Sequence, residues 1–474
     1  MYTIFERNLS MKSKIFAAVS AAVVIMPFLR CSDAEAVSFT MKSTLHSDSA
    51  IILNLDSDIV IHEKNADKKQ MPGPLVNIMT AVVCMENCPD LNQKVTVEED
   101  IYSDLYVTDY PDDLRFAEIL DGDVLTYNDL LYAMMLTSSI EASQTIAYNI
   151  GGESVSAFVE LMNEKAAALG MSSTNFTNPT GMYDANQYTT ARDMAILTKY
   201  AMGMSHFDDI CSTYAYTPSV PNEERHPVRD SWRWFHSNIM MDEESDSYYK
   251  GVRGIKTGNL ELGGRNIVAA ASKDGHNYLV IGMRAPINDP DGNTAFYHIE
   301  DAENMLDWAF GHFSYQVVLA ETAELGELPV ELADGNDYVL ARPKEEVSLL
   351  WYDQIDLSLI SRDNITWYQT KLQAPVKKGE PLGRVTLEYS GEKLADVELV
   401  AVSSVERSTS KYNFYAAKLF TKSSWFKKSL IVAGLISILY IIVCIYSYVL
   451  FKSRAKPVKP MYAVPKVDKR KKKK

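Results

Sequence analysis

The chain has 474 residues, 47% of them apolar, enough to bury one large core and, by length, two. Its formal net charge is −15, and setting aside the basic tail, the lysine-rich stretch 411–428 and the N-terminal region leaves roughly −31. A body this acidic argues against nucleic acid or anionic surfaces as partners.

Both ends read as membrane-related. Lys12 and Lys14 precede an apolar run from Ile15 to Leu29, and Ala34-Glu35-Ala36 is an A-x-A cleavage pattern. This is a signal peptide over 1–36, with Met11 as an alternative start. Cys31 follows Arg30, where a lipid-attachment motif needs a small residue, so lipidation is not expected. Ser429 to Phe451 holds no charged residue and would span ~34 Å as a helix, enough to cross a bilayer. The basic tail 452–474 is then expected in the cytoplasm and the body of the chain outside the cell.

In chain order, Ala50–Leu55 and Ile59–Asn65 are β-rich runs joined by Asp56-Ser57-Asp58, a hairpin. A helix is expected from Pro72 to Cys88, with Gly73 as N-cap and Pro74 at its first position. Thr126 caps a helix over Leu130–Leu136, followed by helices over Ala142–Ile150 and Ser154–Leu169, the last stopped by Gly170. A turn-rich loop, Asn175–Met182, leads to a helix ending near Met202. Gly251–Gly258 reads as an edge strand, then a hairpin turns at Asp274-Gly275, and Asp301–Phe313 is an amphipathic closing helix. From Ser314 to about Glu406 the pattern is β throughout. Outside the terminal segments the cysteines are Cys84, Cys88 and Cys211, with no C-x-x-C, and Cys84/Cys88 are expected as buried thiols. The histidines form no H-E-x-x-H and no Cys/His cluster, so no metal site and no cofactor are expected.

Several segments together resemble the D-alanyl-D-alanine carboxypeptidase family, serine peptidases of the low-molecular-weight penicillin-binding type. They are Glu63–Asp67, the loop Asn175–Met182, the run Asp184–Ala195, Gly254–Gly258, and the β segment Ala374–Val402. Gln187 stands where that family commonly has histidine. The resemblance implies a carboxypeptidase-like α/β transpeptidase domain (37–313) and an all-β domain (314–406). A juxtamembrane linker (407–428), a transmembrane helix (429–451) and the tail follow.

The family's chemistry needs a nucleophilic hydroxyl, a base and N–H groups for the oxyanion, supplied through Ser-x-x-Lys, Ser-x-Asn and Lys-Thr-Gly. Lys256-Thr257-Gly258 is intact, and by resemblance would bind substrate. Ser139-Ile140-Glu141 aligns with the second motif, keeping Ser139 and replacing the amide by the Glu141 carboxylate, which can only accept. The first motif reads Pro74 and Asn77: no hydroxyl and no useful base. Other Ser-x-x-Lys spacings, Ser247/Lys250, Ser408/Lys411 and Ser424/Lys427, do not open an apolar helix after a hairpin. With no catalytic set intact, Glu141 is expected to pair with Lys256 in the old cleft. The expected protein is a membrane-anchored, inactive relative that binds peptidoglycan stem peptides or contacts other cell-envelope proteins. The alternative is a working carboxypeptidase with an atypical nucleophile, Ser139 served by Lys256.

Overall fold

The hairpin closes on one side chain. Asn54 Oδ1 accepts from the backbone N–H groups of Asp56 (3.1 Å) and Ser57 (2.9 Å), which turns β1 (Ser49–Asn54) back into β2 (Ile59–Lys64). The computed structural model describes residues 39, 41–219, 225, 226 and 232–454. The signal-like segment 1–36 and the tail beyond Arg454 lie outside the described residues.

Three more strands, β3 (Val252–Leu260), β4 (Gly264–Lys273) and β5 (His276–Ala285), complete an antiparallel sheet in the order β2-β1-β5-β4-β3. The turn between β4 and β5 is Asp274-Gly275, both at positive φ (52° and 82°), the two-residue loop that suits the strand twist. Both faces of the sheet are covered. Ile51, Leu53, Val268, Ala270, Leu279 and Ile281 face one core, while Ala50, Ile52, Ile267, Ala269, Tyr278 and Val280 face the other. Two buried faces explain why these strands read as unbroken apolar runs rather than alternating ones.

Six helices belong to the first layer: α1 (Val76–Asn87), α2 (Tyr127–Thr137), α3 (Ile140–Ile150), α4 (Val155–Leu169), α5 (Ala191–Met202) and α6 (Ser205–Cys211). Thr126 caps α2 by accepting from Asp129 N–H (3.0 Å), and Asp129 returns the bond to Thr126 N–H (2.9 Å), a full capping box. The helix expected from Pro72 starts instead as a 3-10 turn, Gly73–Leu75, because Gly73 sits at φ 54°, left-handed and unavailable to an N-cap. From Val76 to Cys84 every residue of α1 is buried, so this helix runs through the centre of its layer. Cys84 and Cys88 are buried and unbridged.

A seventh helix, α7 (Tyr297–His312), packs on the other face of the sheet through Ile299, Ala302, Met305 and Leu306. It begins one turn before the expected Asp301. That residue is fully buried, and its carboxylate accepts from His46 N–H (2.8 Å), Ser47 N–H (2.6 Å) and Ser47 Oγ (2.6 Å). The acid therefore ties down the segment before β1 rather than starting the helix.

The chain divides into two units, the first running to Val318 and including Ser348–Ile360 and Glu388–Leu394. The second takes in most of a six-stranded sheet formed by β6 (Gly326–Glu331), β7 (Tyr338–Pro343), β8 (Ser361–Trp367), β9 (Leu372–Gln373), β10 (Pro381–Tyr389) and β11 (Glu392–Ala401). Its order is β8-β10-β11-β7-β6-β9. Along β7, Val339, Ala341 and Pro343 are buried and their neighbours are not, the alternation expected of a small all-β domain. After it come α8 (Thr409–Lys422) and α9 (Ser424–Arg454); α9 is long and apolar enough to cross a membrane.

Candidate functional site

The edge strand β3 and the turn before α1 are pressed together. A Cβ built on Gly258 would lie 2.9 Å from Pro74 Cδ, and one on Gly73 would lie 3.1 Å from Leu260 Cγ. Glycine at 258 is what lets the Pro74 ring sit on the strand. Beside this contact opens a cleft of about 310 Å³, lined by Pro74, Ser138, Ser237, Thr257 and Gly258 together with Arg115, Arg265 and His298.

Pro74, placed where a nucleophile was sought, brings only its ring to this wall. Asn77, one turn on, is fully buried and points elsewhere: its Nδ2 donates to Ser143 Oγ (3.2 Å) and to the Pro179 carbonyl (3.1 Å). Thr80 Oγ1 donates to that same carbonyl at 2.9 Å. Helix α1 is thereby stitched to the Asn178–Met182 loop by amide and hydroxyl groups that carry no charge. Asn77 Oδ1 is buried and without a partner.

Lys256 is fully buried on β3. Between Arg253 and Lys256 the β3–β4 register slips, with Ile255 at φ 22°, and this bulge re-aims the strand just before the lysine. Its Nζ donates to Ser138 Oγ (2.5 Å) and to the Thr257 carbonyl (3.0 Å). Burial drags the ammonium down from the ordinary lysine range to about 7; the Cys211 thiol opposes this, and the positive charge of Arg115 adds to it. Thr257 Oγ1 shares a 2.7 Å hydrogen bond with Ser237 Oγ at the cleft wall.

Two expectations change here. The hydroxyl that meets Lys256 belongs to Ser138, not Ser139. Ser138 closes α2 in the left-handed conformation (φ 65°), which turns its side chain into the cleft. Ser139, one residue later, is the N-cap of α3: its Oγ accepts from Ala142 N–H (3.1 Å) and donates to Glu141 Oε2 (2.5 Å), and it is fully buried. Counted from Ser138, the third position of the motif is Ile140, which offers neither donor nor acceptor. The expected Glu141–Lys256 ion pair also fails. In the first turn of α3, Glu141 Oε1 accepts from Ala117 N–H (3.0 Å) and Oε2 from Ser139 Oγ, so both oxygens are taken up away from Lys256. Lys256 has no carboxylate within 4.0 Å among the described residues.

The model of the D-alanyl-D-alanine carboxypeptidases matches residues 35–286, more than half of the chain. The chain belongs to the D-alanyl-D-alanine carboxypeptidase family. The C-terminal domain of penicillin-binding protein 5 matches residues 360–407. Among relatives, D-alanyl-D-alanine carboxypeptidase DacF of Bacillus subtilis is 24% identical over 76% of this chain and 86% of its own. DacC of Escherichia coli is 26% identical over 78% and 88%. Among solved structures, penicillin-binding protein 5 of Haemophilus influenzae superposes with a TM-score of 0.54 at 22% identity, covering 78% of this chain and all of that one. DacD of Francisella tularensis gives 0.56 at 18%, covering 81% and 100%. The fold is that of the penicillin-binding proteins, an α/β domain followed by an all-β domain, and one apolar C-terminal helix.

Within this family member, Glu141 braces the loop that carries Arg115. Besides its own bonds, the start of α3 donates Ile140 N–H to the Arg115 carbonyl (3.0 Å), and Trp234 Nε1 donates to the Ala117 carbonyl (2.8 Å). The loop carrying Arg115 is thus fixed from both sides. Burial raises the Glu141 carboxyl, offset by the hydrogen bonds from Ser139, Ala117 and their neighbours. Glu141→Ala would strand the buried Ala117 N–H and the Ser139 hydroxyl. It is expected to cost about 2 kcal/mol, read as a shift in denaturant midpoint. Faster exchange of the Ala117 amide would accompany it.

Gln187 takes a comparable supporting place. It is buried, and its Oε1 accepts from Thr177 N–H (3.0 Å) and Asn178 N–H (3.2 Å), shaping the loop that receives Asn77. Sequence reasoning missed Arg115, Arg265, Ser237 and His298, which lie in loops or at strand and helix ends far apart in the chain. The paired serines at 138 and 139 were a signal that two registers of the second motif were open.

Proposed function

We propose that this chain is a membrane-anchored member of its family that binds peptidoglycan stem peptides in the cleft without cleaving them. One observation carries the reading: Pro74 stands in the 3-10 turn before α1 and Asn77 in the first turn of α1, and the cleft lining there is a proline ring packed on Gly258. Neither residue can attack a carbonyl or take up a proton at neutral pH. What remains suits holding a ligand: the Thr257 and Ser237 hydroxyls and the extended edge of β3, to which a peptide can add as a strand.

In the cell envelope, we take residues 1–36 as a signal peptide and Ser429–Phe451 as the membrane span, with the basic tail cytoplasmic. The domain boundaries at 313 and 406 follow the same scheme. Contacts with other envelope proteins would give such a protein a regulatory role.

Calorimetric titration of the full chain in detergent with N-acetyl-D-alanyl-D-alanine tests the peptide reading. Binding is expected, weakened roughly tenfold by Thr257→Val, which removes one hydroxyl and keeps the shape. Absence of binding, or binding indifferent to Thr257→Val, would reject the cleft as the site.

A second reading has its own observation. Ser138 Oγ lies 2.5 Å from Lys256 Nζ, a hydroxyl and an amine at hydrogen-bond distance beside the cleft. An atypical serine peptidase would use that pair.

A further inference from the structure

The cleft carries more positive charge than one carboxylate can balance. Arg115 and Arg265 both line it, and among the described residues no Asp or Glu does, on a chain whose net charge is −15. Among the described residues neither guanidinium has a carboxylate within 4.0 Å. Arg115 Nη1 donates to the carbonyls of Asp112 (2.6 Å) and Leu114 (2.8 Å). Arg265 rests over the Phe296 ring, 4.5 Å from its centroid, and its Nε is buried without a partner.

Like charges side by side repel, and Arg265 is held below the usual guanidinium range by burial and by Arg115. His298, 4% exposed, also keeps an unpartnered Nδ1, and Arg265 together with burial keeps its imidazole neutral. Phe296, His298 and Ile299 stand at the start of the sixteen-residue helix α7, whose positive end therefore meets the cleft. The Thr257–Ser237 hydroxyl pair lines the same cleft, so hydroxyl donors and two guanidinium groups face one ligand space.

We propose that the cleft takes the C-terminal end of a peptide whose last residue carries a second acid group on its side chain. This rests on the reading of the cleft as a peptide site. The main-chain carboxylate meets Thr257 and Ser237, and the side-chain acid meets Arg115 and Arg265 through charge-assisted hydrogen bonds. No bond is made or broken.

The full chain in detergent is titrated with N-acetyl-D-alanyl-D-glutamate, with N-acetyl-D-alanyl-D-alanine and with inorganic phosphate. The glutamate peptide is expected to bind about tenfold more tightly than the alanine peptide. Arg265→Gln and Arg115→Gln should each erase most of that preference, leaving the alanine peptide within roughly threefold of its original affinity. Arg115→Lys, which keeps the charge, should retain the preference, and melting curves of each variant show that the fold is intact. Equal affinity for the two peptides, or a preference that survives both glutamine variants, overturns the inference and leaves the peptide reading standing. Arginine-dependent binding of phosphate with neither peptide bound overturns both.

Discussion

Incubated with a labelled penicillin, the full chain in detergent is expected to stay unlabelled under conditions in which a Ser-x-x-Lys relative labels completely. Acylation needs an oxygen nucleophile with its base, and those two act as a unit, so losing both costs about 10⁴-fold or more in rate. Pro74 supplies no oxygen, and the Asn77 amide is committed to Ser143 and Pro179. The competing outcome is specific. Stable labelling that disappears in Ser138→Ala, and persists in Ser139→Ala, would establish the Ser138–Lys256 pair as a working nucleophile and overturn the inactive reading. Ser139 is a poor source of reactivity, because its hydroxyl is spent on Ala142 N–H and Glu141.

The second large effect is on stability and its dependence on pH. Lys256 is fully buried, with a serine hydroxyl and a carbonyl as its partners, and is pulled down to about 7. In the unfolded chain a lysine holds its proton to about pH 10.4. Between those values the unfolded state binds a proton that the folded state has shed, so this group makes stability rise with pH. Below pH 7 both states are protonated, and the folded state carries a buried charge with no counter-ion. Lys256→Met keeps the length of the side chain and removes the charge. It is expected to be more stable than the native chain by on the order of 3 kcal/mol at pH 6. That advantage should shrink by about 1 kcal/mol by pH 8. Urea unfolding of both proteins at the two pH values measures it; a gap that does not change with pH would mean the amine is neutral, or paired, throughout.

An anionic ligand in the cleft, which Thr257, Ser237, Arg115 and Arg265 line, would supply counter-charge there. Ligand binding to the folded state alone then stabilises it by mass action.

Much of this was legible along the chain. The hairpin at Asp56–Asp58, the Asp274-Gly275 turn, the capping of α2 by Thr126 and the stop at Gly170 are local events, each decided by a few neighbouring residues. So were the replacements at 74 and 77, since a proline has no hydroxyl in any fold. The intact Lys256-Thr257-Gly258 could be read the same way.

Only the tertiary structure decided which groups meet. Two serines in a row leave the second motif's register open, and a left-handed residue closing one helix just before the next begins turns Ser138, and not Ser139, toward the lysine. The first turn of α3 likewise aims Glu141 at Ala117 instead of Lys256. Arg115 and Arg265, 150 positions apart in sequence, come to one cleft because antiparallel pairing and the pinned 115–119 loop carry them there. Sequence determined which chemistry the start of α1 had lost; the fold determined which charges were left facing the cleft, because side-chain direction depends on backbone geometry that no short stretch sets alone.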